Sequence, residues 1–227
     1  MKERKMKISQ LLKIEPGLTA LIGGGGKTAL MYKLADELSE LGCVIVCTST
    51  KIYESDDIAV VTGDSEDIIN TLKTHRVICA GTRVGGGKLS SPTITFHELK
   101  DIADYVIVEA DGAHKLPIKA HADYEPVIPD CADKTVLVMG ADAFGQPISR
   151  ICHRAELFAE RARVTVHDEV TPELVARVIA GEGLGDIIYI NKVESNESLT
   201  LSERSAQLID LPVIAGSLRT EEYICLR

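Results

Sequence analysis

Four consecutive glycines, Gly23–Gly26, are followed directly by Lys27 and Thr28. An apolar run, Leu18–Ile22, precedes them, and apolar residues recur at helical spacing from Thr28 to Leu41. A strand that turns through glycines into a helix is the setting of a phosphate-binding loop. Glycines allow a tight turn whose N–H groups converge on one anion, and the helix N-terminus adds its dipole. We therefore predict that Gly23, Gly24, Gly25, Gly26, Lys27 and Thr28 bind a nucleoside triphosphate.

Two residues of this loop have predicted individual roles. Lys27 would reach the β- and γ-phosphates, and the Thr28 hydroxyl would ligate Mg²⁺. The loop departs from the pattern GxxxxGK[ST], because Leu21 stands at the first glycine position. The remaining GGxGKT resembles the loop of signal-recognition-type and metal-insertion GTPases, although Ile22 stands where these often carry lysine. The alternative is a glycine turn that binds nothing, but Lys-Thr opening a helix is hard to explain without an anion.

Strand-like and helix-like segments alternate along the chain, which favours a mostly parallel sheet. Hydrophobic residues make up 45% and aromatic residues 4%, a composition that suits buried strands of Val, Ile and Leu. We predict an α/β fold with helices on both faces of the sheet, a three-layer architecture like that of P-loop NTPases. Residues 1–227 are expected to form a single domain, with a possible irregular insertion or lid at about 146–170.

Charge and hydropathy exclude several partners. The formal net charge is −9, which argues against binding to nucleic acid or to an anionic membrane. The N-terminal segment 1–14 is basic but has no apolar signal core, and no run approaches the length of a membrane span. A cytoplasmic location is therefore expected.

Acidic residues follow the strongest buried strand, Tyr105–Val108. In this architecture a nucleotide site gathers residues from the carboxyl ends of several strands. Asp111 would hold Mg²⁺ together with Thr28, and Glu109 or Asp111 would orient the attacking water. Lys27, Glu109 and Asp111 are thus the candidate catalytic residues. The alternative is that both acids are solvated loop residues.

A base-recognition motif is indicated after the strand Ile187–Ile190. Asn191, Lys192 and Glu194 resemble the NKxD motif of GTPases, with glutamate in place of aspartate. Ser217, after the last strand, stands where such GTPases place a second base-contacting loop. Together these residues favour GTP over ATP.

Further polar residues have two interpretations each. Thr50 and Lys51 end the second strand and would touch Mg²⁺ or the γ-phosphate, or else are a polar strand end. His114 and Lys115, with Lys119 and His121, would form a substrate or partner pocket, or else face solvent. Gly85–Lys88 is a second phosphate contact or a mobile hairpin or lid. His153 and Arg154 would reach the phosphates or form a surface pair.

Four stretches resemble the YqeC-type family of selenium-dependent molybdenum hydroxylase accessory proteins. They are IGGGGKTALMYKLA (Ile22–Ala35), TSTKIY (Thr48–Tyr53), DYVIVEADGAHKLPIKA (Asp104–Ala120) and INKVE (Ile190–Glu194). The third stretch is the most specific, because ordinary P-loop proteins do not carry it. The resemblance implies a P-loop NTPase associated with a molybdenum hydroxylase or its cofactor-maturation proteins. It places the family motif at Gly23–Thr28, Glu109, Asp111, His114 and Lys115.

Three functions are compatible with these motifs. The first is a Mg²⁺-dependent NTPase that assists cofactor insertion, with slow turnover because no internal arginine finger is evident. The second is a small-molecule kinase or nucleotidyl transferase, which needs an acceptor pocket around His114–His121. The third is a non-catalytic nucleotide-dependent chaperone or switch.

Overall fold

A nine-stranded sheet forms the centre of the computed structural model, which describes residues 6–227. The start of the N-terminal segment, residues 1–5, lies outside the described residues. Strands β1–β14 are, in chain order, Gly17–Gly23, Val44–Thr48, Lys51–Tyr53, Ala59–Val61, Val77–Ala80, Thr82–Arg83, Lys88–Ser90, Tyr105–Glu109, Ile118–Lys119, Lys134–Gly140, Cys152–His153, Ile187–Asn191, Val213–Ser217 and Glu222–Cys225. Helices α1–α8 are Ile8–Leu11, Lys27–Leu38, Ser65–Leu72, Phe96–Ile102, Ile148–Ile151, Ala155–Ala162, Pro172–Glu182 and Asn196–Leu208.

The central sheet has the order β14-β13-β12-β10-β1-β8-β2-β5-β4. All neighbouring strands in it are parallel except β13 and β14. Strands β3, β7 and β6 form a small antiparallel sheet, and β9 pairs with β11. Because β1 lies between β8 and β10, the residues that follow these three strands meet at one edge of the sheet.

Alternate residues of β1 pack into apolar clusters on opposite faces of the sheet. Ala20 and Ile22 share a cluster with Phe158 of α6 and Val175 of α7. Leu21 belongs to a second cluster, which contains Leu30 and Leu34 of α2. Helices thus cover both faces, and the predicted fold class is confirmed.

The segment 146–170 is built into this core. It contains α5, β11 and α6, and Ile148, Phe158 and Ala162 are buried in the same cluster as β1 and β10. Its designation as an insertion or lid, and the single-domain boundaries 1–227, stay predictions.

Two helix ends differ from the sequence-based expectation. Helix α2 ends at Leu38, and the N–H groups of Leu41 and Gly42 turn back to the Leu38 carbonyl, at 2.8 and 3.1 Å. Leu41 is 71% exposed, so its helical spacing was not a sign of burial. Helix α8 begins at Asn196, because Ser195 caps it through the Ser198 N–H, whereas the apolar pattern alone predicts a start only at Ser202. Among residues 6–227, no helix combines the length and the apolar character needed to cross a bilayer.

Candidate functional site

The glycine loop connects β1 to α2 and requires glycine at several positions. Gly23, Gly25 and Gly26 have φ values of 94°, 65° and 114°, a region that side chains disfavour. A Cβ atom on Gly25 would lie 2.1 Å from the Gly140 nitrogen, and one on Gly24 would lie 2.6 Å from the Leu116 carbonyl oxygen. The loop is therefore packed closely against the ends of neighbouring segments.

Four N–H groups of the loop, those of Gly24, Gly25, Lys27 and Thr28, fall into two pairs. Those of Gly24 and Gly25 donate to the carbonyls of Val138 and Leu116, at 2.8 and 3.0 Å. Those of Lys27 and Thr28, at the start of the 12-residue helix α2, have no acceptor among residues 6–227. Unpaired N–H groups at a helix N-terminus favour an anion. A phosphate that used the Gly25 N–H as well would have to displace the Leu116 carbonyl.

The candidate catalytic residues converge on Lys27, whose side chain is 3% exposed. Its Nζ lies 2.5 Å from the Gly23 carbonyl, 2.8 Å from Asp111 Oδ1 and 3.9 Å from Glu109 Oε1. The Thr28 hydroxyl donates to Glu109 Oε2 at 2.6 Å. Strand β8, which pairs with β1, positions both acids because it ends at Glu109.

Burial and neighbouring charges shift the two acids in opposite directions. Burial raises the pKa of the Glu109 carboxyl, and Lys27 and the Thr28 hydroxyl only partly oppose this shift. Burial would also raise the pKa of Asp111, but His121, Lys27 and Lys119 outweigh it and bring that pKa to about 2. Asp111 is therefore ionised at neutral pH, whereas the Glu109 carboxylate accepts a proton more readily.

A series of hydrogen-bonded side chains connects Asp111 to helices α7 and α6. Asp111 Oδ2 accepts the Gly23 N–H at 2.9 Å and lies 2.8 Å from His121 Nε2. His121 Nδ1 lies 2.6 Å from Glu182 Oε2 on α7, and Arg161 of α6 donates to Glu182. Burial lowers the pKa of His121, but its two carboxylate partners outweigh this and raise it, so the imidazolium form is favoured.

Sequence reasoning assigned Lys119 and His121 to a substrate pocket together with His114 and Lys115. The structure divides that group: Lys119 and His121 are buried, whereas His114 and Lys115 are exposed. Lys119 Nζ lies 3.0 Å from Glu125 Oε2 and 3.5 Å from Asp111 Oδ2. We call Lys27, Glu109, Asp111, Lys119 and His121 the buried ion cluster. Glu182 was missed, because nothing near it in sequence indicates that it meets a residue 61 positions earlier.

The base-recognition candidates also lie together. The Asn191 amide donates to the Gly25 carbonyl at 2.8 Å and accepts the Leu218 N–H at 3.2 Å. The Ser217 hydroxyl donates to Glu194 Oε1 at 2.7 Å, and Arg219 Nε donates to the same oxygen at 3.0 Å. Lys192 Nζ pairs with Asp142 at 2.7 Å. We call Asn191, Lys192, Glu194, Ser217 and Arg219 the base-side group; sequence reasoning did not include Arg219.

The remaining candidates lie outside the buried ion cluster. Thr48 donates to the Glu109 carbonyl at 2.7 Å, and the Thr50 N–H donates to Thr48, so Thr50 contacts the site indirectly. Lys51 is exposed at the start of β3. His114 stacks on His153 with ring centroids 4.6 Å apart. Gly85–Gly87 form the turn of the β6–β7 hairpin, and Lys88 is the first residue of β7 after this turn.

Oxygen donors suited to a hard cation lie at the helix start. Mg²⁺ prefers carboxylate, hydroxyl and phosphate oxygens. The Thr28 hydroxyl and Glu109 carboxylate, 2.6 Å apart, form such a pair. Asp111 Oδ2 contacts Gly23 and His121, whereas the buried Oδ1 lies beside Lys27 without a hydrogen-bond partner in the described residues. Both acids thus offer a carboxylate oxygen at this site, and Thr28 with Asp111 stays the predicted ligand pair.

A glycine loop between β1 and α2, with acids at the end of the adjacent strand β8, defines an α/β protein of the P-loop NTPase type. Residues 19–156 match the family model described as YqeC protein. Since this match covers more than half of the sequence, the chain belongs to the YqeC family, as its motifs predicted.

One curated relative and one solved structure extend this comparison. "Uncharacterized protein YqeC" of Escherichia coli (strain K12) is 28% identical over 159 residues, which are 66% of this chain and 62% of that protein. The match thus spans less than two thirds of that protein's length. The structure is similar to that of the 54 kDa signal recognition particle protein from Aeropyrum pernix K1 in complex with GDP. That similarity has a TM-score of 0.44 and 17% identity and covers 93% of this chain and 44% of the other.

Proposed function

We propose that this protein is a slow Mg²⁺-dependent nucleoside triphosphatase that favours GTP over ATP. In this proposal it assists the maturation of a molybdenum hydroxylase, or insertion of its cofactor, in the cytoplasm. One observation carries the catalytic part: Lys27, Thr28, Glu109 and Asp111 meet where the unpaired N–H groups of α2 begin. This combination of donors, cation and carboxylates is what phosphoryl transfer to water requires.

Each residue has a distinct part in the proposed reaction. Lys27 would exchange its carboxylate contacts for phosphate oxygens, while Asp111 keeps the loop in place through the Gly23 N–H. Glu109, whose pKa is raised by burial, would orient the attacking water and accept its proton. Bound Mg²⁺ would neutralise charge on the phosphates, with Thr28 and Asp111 as its protein ligands.

The preference for GTP is supported by the base-side group. Asn191 joins the loop to the end of β12, and the Ser217 hydroxyl fixes the Glu194 carboxylate. The Glu194 carboxylate would accept hydrogen bonds from the N1–H and the 2-amino group of guanine. Adenine has neither of these donors.

The role in hydroxylase maturation comes from the family resemblance. Its most specific stretch, Asp104–Ala120, contacts the loop, since the Leu116 carbonyl accepts the Gly25 N–H. A motif that touches the phosphate loop is well placed to relay nucleotide occupancy to a client protein.

A thermal-shift and phosphate-release screen with ATP, GTP and CTP, each with Mg²⁺, tests the proposal. At roughly 100 times Kd, a ligand adds about 2.7 kcal/mol of stability. For a chain of this length that corresponds to a rise in Tm of roughly 5 to 10 °C. We expect GTP to give the largest rise and slow phosphate release.

Variants of the glycine loop are the controls for this screen. Lys27→Ala should abolish the ligand-induced rise; Thr28→Val serves the same purpose if Lys27→Ala does not fold. Equal stabilisation by all three nucleotides would contradict base selection. No stabilisation by any of them would contradict the proposed function as a whole.

A kinase or nucleotidyl transferase is the second candidate. It is favoured by the exposed side chains of His114 and Lys115, which directly precede the residue that contacts Gly25. Product analysis separates the two candidates, because a transferase yields a modified acceptor rather than free phosphate.

A further inference from the structure

Two lysines beside the phosphate loop share one aromatic ring and have no acidic partner. Lys88 Nζ lies 4.8 Å and Lys115 Nζ 5.9 Å from the ring centre of Tyr53. No carboxylate among residues 6–227 lies within 4.0 Å of either ammonium. Both ammonium groups thus lie near one ring without a carboxylate to neutralise them, and an anion bound there would interact favourably with both charges. This arrangement occurs in a chain whose net charge is −9.

Two histidines extend the cationic surface. His114 stacks on His153, and the Nδ1 atom of His153 is enclosed without a hydrogen-bond partner in the described part of the chain. Burial lowers the pKa of His153, and the positive charges of Lys119, His114 and Arg154 lower it further. Glu125 acts in the opposite direction but does not outweigh them, so the neutral imidazole is favoured, and its enclosed Nδ1 is a polar atom that a bound ligand would satisfy.

The backbone holds these side chains in an unfavourable conformation next to the loop. His114 and Lys115 have φ values of 50° and 63°, the left-handed region that costs non-glycine residues energy. The next two carbonyls are fixed, since Leu116 accepts the Gly25 N–H at 3.0 Å and Pro117 accepts the Gly140 N–H at 2.8 Å. Consecutive strained residues, anchored on a phosphate loop, are typical of a functional site.

We propose that Lys88, His114 and Lys115 form a second anion site, for a small molecule that carries a phosphate or similar tetrahedral oxyanion group. We call these three residues the cationic rim. This inference extends the proposed function, because it gives the nucleotide site a second ligand bound beside the triphosphate. It also unites two motifs, Gly85–Lys88 and His114–Lys115, that hydrolysis alone does not use.

Inorganic phosphate is the probe, and histidine ring signals in NMR spectra are the readout. At constant pH and ionic strength, added phosphate should shift the signals of His114 and His153. Those of His75, His97 and His167, which lie outside the rim, should stay in place. Lys88→Ala and Lys115→Ala should each weaken the apparent phosphate affinity by about fivefold. Lys73, whose ammonium donates to Asn70 on the exposed side of α3, provides the control: Lys73→Ala has the same loss of charge and should leave the affinity unchanged.

The Lys27→Ala variant separates this site from the nucleotide loop. If the inference holds, Lys27→Ala loses nucleotide binding but keeps the phosphate response of His114, whereas Lys115→Ala keeps nucleotide binding and weakens the phosphate response about fivefold. A response that disappears in Lys27→Ala and keeps its full affinity in both rim variants would place the anion in the loop and overturn the inference. Uniform shifts of all histidines, or none in the wild type, would also overturn it. Failure of nucleotide binding with a persistent His114 response would contradict only the proposed function.

Discussion

The buried ion cluster and the base-side group lie at the same edge of the sheet but differ in their access to water. Lys27 and Asp111 are almost completely enclosed, and each charge there touches an opposite one. Glu194 and Arg219 form an equally direct contact, yet their side chains are 33% and 75% exposed. Water screens the exposed pair and cannot screen the buried one. The first group therefore supports the fold as well as the proposed chemistry, whereas the second contributes little to the stability of the fold.

Removing the buried cation should have the largest effect. Lys27→Ala leaves Glu109 and Asp111 without their nearest positive charge, which should cost about 3–5 kcal/mol of unfolding free energy. Urea denaturation of the nucleotide-free protein measures this cost. The matched control is Lys192→Ala, which breaks an exposed pair with Asp142 and should cost less than about 1 kcal/mol. Equal costs for the two variants would remove the distinction between the groups.

Gly25 of the phosphate loop and Gly86 of the β6–β7 turn have similar backbone angles but different packing, so their substitutions should differ in cost. Gly25 and Gly86 have φ values of 65° and 62°, but a Cβ atom on Gly86 would meet no atom within 4 Å. Gly86→Ala should therefore cost only the conformational strain, about 1–2 kcal/mol. Gly25→Ala adds a clash with the Gly140 backbone and should cost about 2–5 kcal/mol in the same denaturation assay. Similar values would show that the loop relaxes freely.

Acid titration should separate the two groups by their carboxylates. The Asp111 pKa lies near 2 against an ordinary value of 3.8, so ionised Asp111 stabilises the fold at pH values above about 4. That contribution, about 2 kcal/mol, is lost as the pH falls towards 2. The stability difference between wild type and Asp111→Asn should shrink by this amount between pH 5 and pH 2. Glu194→Gln should give a flatter difference, because both side chains of its ion pair are reached by water.

The smallest effect on stability should come from Arg219→Ala. The exposed pair with Glu194 is screened by water and contributes little to folding. Under the proposed function, however, freeing the Glu194 carboxylate should change the ratio of GTP to ATP affinity. Competition binding with labelled GTP measures that ratio. A large loss of stability without a change in the ratio would assign Arg219 a structural role instead.

Local sequence patterns predicted the glycine loop after β1. They also predicted strand β8, which pairs with β1, and the acids at the end of β8. Gly23–Thr28 and Glu109 could be found because their conformations depend on neighbours in sequence. The contact of His121 with Asp111, and that of Glu182 with His121, could not be predicted, since both depend on tertiary packing between the segment after β9 and helix α7. Lys119 and His121 lie two positions apart in an extended segment, so one side of that segment carries both into the interior. No periodicity signals which side that will be.

The hydrogen bond from Asn191 to the Gly25 carbonyl joins residues 166 positions apart. A ribosome that adds 5–20 residues per second makes that amide roughly 8 to 33 s after the glycine loop. During this interval the nascent chain has its loop and helix α2 but neither the Asn191 amide nor the strands β13 and β14. The site is thus completed only after Asn191 has been added, which delays any step that depends on this contact until then.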